Sequence, residues 1–553
     1  MQLIRIQTDD ELLLYKKQWD DILATEKNDN PFIEFIWFYH WWRTVGRKER
    51  VELYAVEHED SIIAFFPFTV RQQWGVRLYS FAGEGIANYA GIIAEQKWLY
   101  KAVVFVLDGL CKKYPHIAFS LHGLLESQLS VKLLEQYFVE RQLHPHIFRV
   151  VTPYIALQEV DVPQYIEQRK KLHGVDRREK KLRRLGTFVK KKASENELWK
   201  MFQLFDRRWA KKLDTSGFTT KKKRAFFEQL AYEKEEALQI EIDTLVFEQQ
   251  WLAFTYGIRC RGRYVLYTLA HEPTFQLFGV GRLLQQEVLR RTYIEAGQLF
   301  DMSIGYEPYK FDWHSGLDFT RHMLVSGTTK RAKWFIHCLA IKERLKTYAK
   351  SKQWLVNWKR NTLGQWYYLG KYGKWQDWLQ YGQQLITKWF NIKQIDLYAI
   401  APTVPCQPVG TLFEELTIQE AIELQQEEVI ALLYQGYNVY TDAFTTKKSL
   451  MFAMHYKQLR IDAVKLIESL PPQTCFVTNE QGNVATITAF CRKIQPIHTI
   501  YMTASFWQWR KRKALVQLGY QRITRIRYIK CFRYQRKQLQ HYSEHEGRSH
   551  AIQ

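Results

Sequence analysis

The sequence predicts an α/β (α+β) fold assembled from several modules. Three observations carry that expectation. At 553 residues the chain is long enough for three or four domains of ordinary size. A strand, a short polar turn and a second strand recur at 54–70, 244–258 and 474–491, with alternating apolar positions in each copy. Residues 263–304 then read as strand, glycine-containing turn, helix and second strand.

Taken in order, the first module spans 1–154. The second, 155–327, includes a basic helical insert at 169–192. A linker rich in Trp, Lys and Arg follows over 328–400 and reads as helical. Pro402, Pro405, Pro408 and Gly410 then punctuate the chain before a third α/β unit at 411–540. The spacing of the three hairpins fits three related modules. The last residues, 541–553, look disordered.

Composition narrows the class. Hydrophobic residues are 46% and charged residues 25%, a globular balance that excludes collagen-like and disordered chains. Seven Cys stand singly, without metal-ligand spacing, as expected of free thiols in a reducing compartment. The first residues carry acids where a signal peptide needs an apolar run, and no stretch is long and apolar enough to span a bilayer. The expectation is a cytoplasmic protein, with no metal cofactor.

Charge is regional. The net of +23 concentrates at 169–192 (+10), 330–393 (+12) and 510–537 (+11). No zinc finger, RNP signature or bZIP pattern accompanies these blocks. They point to localised anionic partners or to solvated surface. In 330–393 seven Trp interleave with the cations. Such a region can lie on the anionic inner face of a membrane, stack on RNA, or pack its rings between domains.

The most informative segment is 263–313. Residues 263–270 form a β-branched and aromatic strand. The string Gln276-Leu277-Phe278-Gly279-Val280-Gly281-Arg282 follows, then a helix with Leu284, Val288, Leu289, Tyr293 and Ala296 on one face and Gly297 as its stop. Residues 299–304 form the next strand. Free N–H groups at such a helix start point at an anion, and the glycines let phosphates reach the backbone.

The Q-x-x-G-x-G string resembles the coenzyme A pyrophosphate motif of GNAT acyltransferases. Asp301, Gly305, Glu307, Tyr309, Lys310 and Trp313 are similar to the D-x-x-x-G-x-E-x-Y-K-x-x-W ending of the CelD/BcsL (cellulose biosynthesis) type. That type has a tandem GNAT-like core related to the Fem peptidyltransferases. Asn30-Pro31-Phe32 with Trp37, Trp41, Trp42 and Gly46, Phe81-Ala82-Gly83 with Asn88-Tyr89, the basic helix at 177–186 and residues 205–209 extend the likeness over about 1–327. Asn88 stands where the pattern more often has Asp, and Asp206 where it commonly has His. The resemblance implies tandem GNAT-like modules with mixed central sheets, and acetyl-CoA or another acyl-CoA as co-substrate. It also implies an acceptor in cell-envelope or exopolysaccharide synthesis, such as an amino sugar.

Acyl transfer requires four tasks, and the residues can be assigned to them. Gln276, Phe278, Gly279, Val280, Gly281 and Arg282 would hold the cofactor pyrophosphate. Backbone N–H groups at 267–270, including Leu269 and Ala270, would polarise the thioester carbonyl. Glu307 or Asp301 would serve as general base. Tyr306 or Tyr309 would return a proton to the thiolate, and Lys310 would orient a carboxylate, bind acceptor phosphate, or simply pair with Glu307. Acetyl transfer to an amine or hydroxyl acceptor is the leading expectation. A Fem-like transferase using aminoacyl-tRNA and a non-catalytic scaffold of a polysaccharide synthase are the alternatives.

Overall fold

The computed structural model describes residues 1–209, 218–352, 354–355, 358–401, 413–424, 426–443, 448–481, 483–494, 497, 499–531 and 534–542. Pro402, Pro405, Pro408, Gly410, Cys406 and the end of the tail lie outside them. The chain forms two compact units. The first comprises 1–179, 188–272 and 279–368; the second comprises 180–187, 273–278 and 369–553.

The first unit is built on a 13-stranded mixed sheet. Its strands are β1 (Gln2–Ile6), β2 (Val51–His58), β3 (Ser61–Gln73), β4 (Val76–Phe81), β5 (Ile93–Ala94), β6 (Ile117–Leu125), β7 (His146–Ala156), β8 (Phe188–Lys192), β9 (Leu238–Phe247), β10 (Gln250–Cys260), β11 (Arg263–His271), β12 (Leu299–Asp301) and β13 (Gly316–Ser326). The spatial order is 1-2-3-4-6-13-7-12-11-10-9-8, with β5 beside β3. The hairpins expected at 54–70 and 244–258 are β2–β3 and β9–β10, both antiparallel.

Two parallel pairs organise this sheet. β4 pairs with β6 across the helix Gln96–Lys113, and β11 pairs with β12 across the helix Val280–Ile294. Between them the halves interleave. β13 lies between β6 and β7, and β7 lies between β13 and β12, all antiparallel. The expected boundary at 154 therefore falls inside β7.

Helices cover both faces, so the central strands are apolar on both sides. In β3, Phe65 enters one core with Trp19 and Phe38, while Phe66 and Phe68 enter the other with Val103 and Phe119. Period-two alternation makes this inevitable. Burying each such ring contributes about 1.5–3 kcal/mol.

The second unit has an eight-stranded sheet of β14 (Phe390–Ile400), β15 (Phe413–Glu415), β16 (Asn438–Asp442), β17 (Phe452–His455), β20 (Thr474–Thr478), β21 (Thr499–Ser505), β22 (Gln521–Cys531) and β23 (Tyr534–His541), with the small pair β18 (Gln458–Ile461) and β19 (Leu466–Ser469) beside it. The third expected hairpin, 474–491, is not one. Thr474–Thr478 is a strand, but Val484–Ile494 is a helix leading to β21, which runs parallel to β20. The β-branched run of Val484, Thr486, Ile487 and Thr488 imitates a strand. Burial of Val484, Ile487, Thr488 and Cys491 at helical spacing decides for the helix.

Candidate functional site

The site begins where β11 leaves its neighbours. β12 pairs with Arg263, Tyr264 and Val265, so from Leu266 to Ala270 that edge of β11 has no partner strand among the described residues. On the other edge β10 pairs Tyr256 with Thr268 and Gly257 with Leu266, which leaves Tyr267 as a bulge. A bulge frees backbone groups from the ladder and re-aims side chains. The Tyr267 hydroxyl donates to the Ile86 carbonyl at 2.8 Å, fixing the bulge from the first half of the sheet. Leu269 and Ala270 lie in this one-sided stretch.

The helix Val280–Ile294 starts beside it. Its N-cap is Gly279, in the left-handed region at φ 65°, with no side-chain cap. A side chain there would be strained and would meet the Arg178 guanidinium at 3.2 Å. Gly281 allows close packing against β11: a Cβ would stand 2.9 Å from Leu269 Cδ2 and 3.4 Å from His271 Nδ1. The amides of Arg282 and Leu283 both bond the Gly279 carbonyl. Those of Val280 and Gly281 have no intrahelical acceptor, which leaves two aligned donors at the positive end of the dipole.

Of the expected binding residues, Leu269, Ala270, Gly279, Val280 and Gly281 come together here. Phe278 and Gln276 belong to the turn Pro273–Phe278, which clusters with the second unit; there Phe278 packs edge-on to Tyr434, and Gln276 is exposed. Arg282 is ion-paired with Asp312. That pair holds the 307–313 turn to the first turn of the helix. The cation over the glycine cap is instead Arg178, half-buried and without an ion pair among the described residues. Its signal in the sequence was only membership of the basic block at 169–192.

The turn after β12 carries the expected acid–base groups. The Glu307 side chain is partly exposed and ion-paired with Lys310 at 3.0 Å. Gly305, at φ 125°, passes so close that a Cβ would collide with the Glu307 carboxylate. Lys310 is buried and donates to the carbonyls of Ile304 (2.6 Å) and Ser303 (3.3 Å). Tyr309 is partly buried; burial and the Glu307 charge raise its pKa, so it stays protonated at neutral pH. Tyr306 is exposed, with its ring parallel to that of Phe311. Behind the turn, Tyr165 donates to the Trp313 carbonyl at 2.7 Å.

Asp301 occupies a different setting. It is buried, 2.9 Å from Arg263 Nη1, and accepts from the Tyr89 hydroxyl at 2.7 Å and the Ser303 amide at 2.7 Å. Burial opposes the charge on Arg263, but Asp301 and Asp29 outweigh it and raise its pKa. Asn88 donates to Ser303 beside this network. At the position where the resembled type commonly has His, Asp206 is exposed and accepts from Arg224 at 2.5 Å.

These residues fit a ligand bearing phosphates and an extended polar arm: two free helix amides, a neighbouring guanidinium, and a strand edge open to hydrogen bonding. A cleft of about 390 Å³ elsewhere, between β1, β3 and the helix Lys16–Thr25, is lined by Asp21, Glu57, Asp60 and Glu95. Its charge has the wrong sign for such a ligand.

Comparison with known proteins gives a concordant result over this segment. Residues 169–311 match the family model for an acetyltransferase (GNAT) domain. No curated protein matches the chain. Among solved structures, the chain is similar to the C-terminal domain of a putative lysylphosphatidylglycerol synthetase from Agrobacterium fabrum, at 9% identity over 62% of this chain and 98% of that one, with a TM-score of 0.38. It is similar to FemX at 7% identity, over 58% and 97%, with a TM-score of 0.41. A tandem GNAT protein from the clavulanic acid biosynthesis pathway gives 10% identity, 60% and 99%, and a TM-score of 0.35. The match of 169–311 thus covers β8 to β12 and the glycine-capped helix, and over that stretch this chain is similar to a GNAT acetyltransferase domain.

Proposed function

We propose that this protein is an acyltransferase that moves an acyl group, most simply acetyl, from a coenzyme A thioester to an amine. The observation that carries the proposal is the bulged, one-sided strand β11 running into a helix whose N-cap is an uncapped, left-handed glycine. The co-substrate supplies an activated acyl thioester. Gly279, Val280 and Gly281, with Arg178 above them, would hold its pyrophosphate; Leu269 and Ala270 would receive its arm along the free edge of β11. An N–H at the Tyr267 bulge would be available to an oxyanion.

Glu307 is the proposed general base, held in place by Lys310, whose own position is fixed by the Ser303 and Ile304 carbonyls. Tyr309, kept neutral by burial, would return the proton to the leaving thiolate. Asp301 positions β12 and its turn through Arg263 and Tyr89. Arg282 does the same through Asp312, and Tyr306 stands at the rim. The resemblance to the CelD/BcsL type supports an amino-sugar acceptor in envelope or exopolysaccharide synthesis.

The test is calorimetric titration of acetyl-CoA into the wild-type protein and a Gly279→Val/Gly281→Val variant. Micromolar affinity, about −8 kcal/mol, lost in the variant is the expected result. A folded wild-type protein that binds no acyl-CoA would reject it. A second reading, with aminoacyl-tRNA as donor, is favoured by the exposed cations Arg177, Lys180, Arg183 and Arg184 on the helix Val175–Leu185. Charged tRNA binding that persists when the two glycines are replaced would select it. Turnover unchanged by Glu307→Gln would remove Glu307 from the mechanism, and no turnover with any donor would leave the scaffold alternative.

A further inference from the structure

The helix Lys330–Ser351 of the first unit carries two apolar faces. Ala332, Phe335, Ile336 and Ala340 are buried against Val76, Leu78, Ala118 and Leu324. On the opposite face Trp334, Ile341, Leu345 and Tyr348, at steps of seven, four and three residues, fall on one line at 3.6 residues per turn. These four side chains are 60%, 44%, 65% and 63% exposed. The stripe continues onto the β3–β4 turn, where Trp74 is 64% exposed and its ring lies 5.4 Å from that of Trp334. Trp74 holds φ 50°, a left-handed conformation unfavourable for so bulky a residue, yet it projects into solvent.

The charges beside the stripe are ordered. Arg331 and Lys342 stand three turns apart along one flank; Lys333 and Arg344 stand three turns apart along the other. All four are exposed. The helix holds seven Lys or Arg and one acid, Glu343. No helix among the described residues is long and apolar enough to cross a membrane.

We infer that this face is a docking surface for an anionic lipid bilayer, with the helix lying in the headgroup plane. Aromatic rings at the headgroup level, aliphatic side chains reaching the acyl boundary and cations on both flanks are the requirements of an interfacial helix. The aliphatic pair Ile341 and Leu345 separates this surface from a single-stranded nucleic-acid site, which needs flat stacking rings. The flanking cations separate it from a contact between two copies, since a self-paired helix would bring rows of like charge together. The inference stands apart from the proposed transfer reaction, for it uses none of the residues assigned to it. In the second unit, the helix Trp375–Trp389 has its own exposed stripe of Trp375, Trp378, Leu379 and Ile386, which the variants below leave unchanged.

The experiment is flotation of the full-length protein with phosphatidylcholine vesicles and with vesicles containing about a third phosphatidylglycerol. An Ile341→Ser/Leu345→Ser variant and a Lys342→Glu/Arg344→Glu variant accompany it. Both pairs are exposed, and circular dichroism confirms folding. Expected are binding to the anionic vesicles that weakens with salt, a shift of Trp fluorescence to shorter wavelength, and at least a tenfold loss of binding in each variant. Absence of wild-type binding, or binding equal in the wild type and the Ile341/Leu345 variant, would overturn the inference. So would stripe-dependent binding to an oligouridine without vesicle binding, or a dimer in sedimentation velocity that the Ile341→Ser/Leu345→Ser variant dissociates.

Discussion

The two parallel crossovers of the first unit are built alike and finished differently. After β4 the chain closes its own gap: residues 82–91 fold back, Ala90 bridges to Leu124, and Tyr89 is fully buried. The helix that follows, Gln96–Lys113, has its first amide bonded to Glu26 Oε1 at 3.0 Å. A carboxylate of the protein thus sits where an anionic ligand would have to bind. After β11 the gap stays open, the helix starts on glycine, and the charge beside that glycine is the cation Arg178. In the second unit the crossover helix Val484–Ile494 is again capped from within, by Asn483 Oδ1 on the Ala485 amide at 2.9 Å. Three crossovers share a topology, and the β11 crossover leaves its helix start without a side-chain cap. The difference lies in the caps, not in the fold.

That contrast can be broken at its anchor. Asp301→Asn leaves Arg263 with only Asp29 in a buried setting and should destabilise by about 3 kcal/mol, the lower end for breaking a buried pair; thermal unfolding measures it. Acid should act on the closed half. His322 on β13 is half-buried near Ser120, His122, Glu84, Glu343 and Lys346, and desolvation with the His122 charge lowers its pKa to about 4. Between about pH 6.5 and 4 the unfolded chain therefore binds more protons, and stability falls as pH falls. His322→Gln should flatten that slope, worth about 2–3 kcal/mol across the window, in denaturant titrations at stepped pH.

The next two sharpen it. Gly281→Val presses a side chain onto Leu269 and His271, costing about 1–3 kcal/mol of stability and, on the proposed function, at least a hundredfold in acetyl-CoA affinity. Gly109→Ala, in the helix of the closed half, meets nothing within 4 Å and should instead stabilise by about 0.5–1 kcal/mol with acetyl-CoA affinity unchanged.

Local chemistry was legible in the sequence. The β11–glycine–helix–β12 unit follows from residue types at fixed offsets, and so do the hairpins β2–β3 and β9–β10. What depends on distant partners was not. Arg178 reaches Gly279 from another helix about a hundred residues earlier, and no spacing announces it. The expected strand from 299 to 304 stops at Asp301, because Ser303 turns at φ 67° and its amide caps the Asp301 carboxylate. The Trp-rich region offered burial and exposure equally by composition; Trp334, Trp354, Trp358, Trp366, Trp375 and Trp378 are exposed. Tyr293, placed by periodicity on the apolar face of its helix, is also exposed, one residue from the helix end where the core has already passed.

The interleaving of β7 and β13 has a consequence for how the chain is born. β6 ends at Leu125, and the strand that lies between it and β7 begins at Gly316, so about 190 residues must leave the ribosome before β6 gains that neighbour. At roughly 5–20 residues per second this is about 10–40 s. Through that interval β6 presents an apolar edge of the kind that templates intermolecular pairing. The first 150 residues cannot be finished as an independent product of translation. Their sheet is completed only when the second half arrives, so truncations between 157 and 315 should yield aggregation-prone chains rather than a smaller domain.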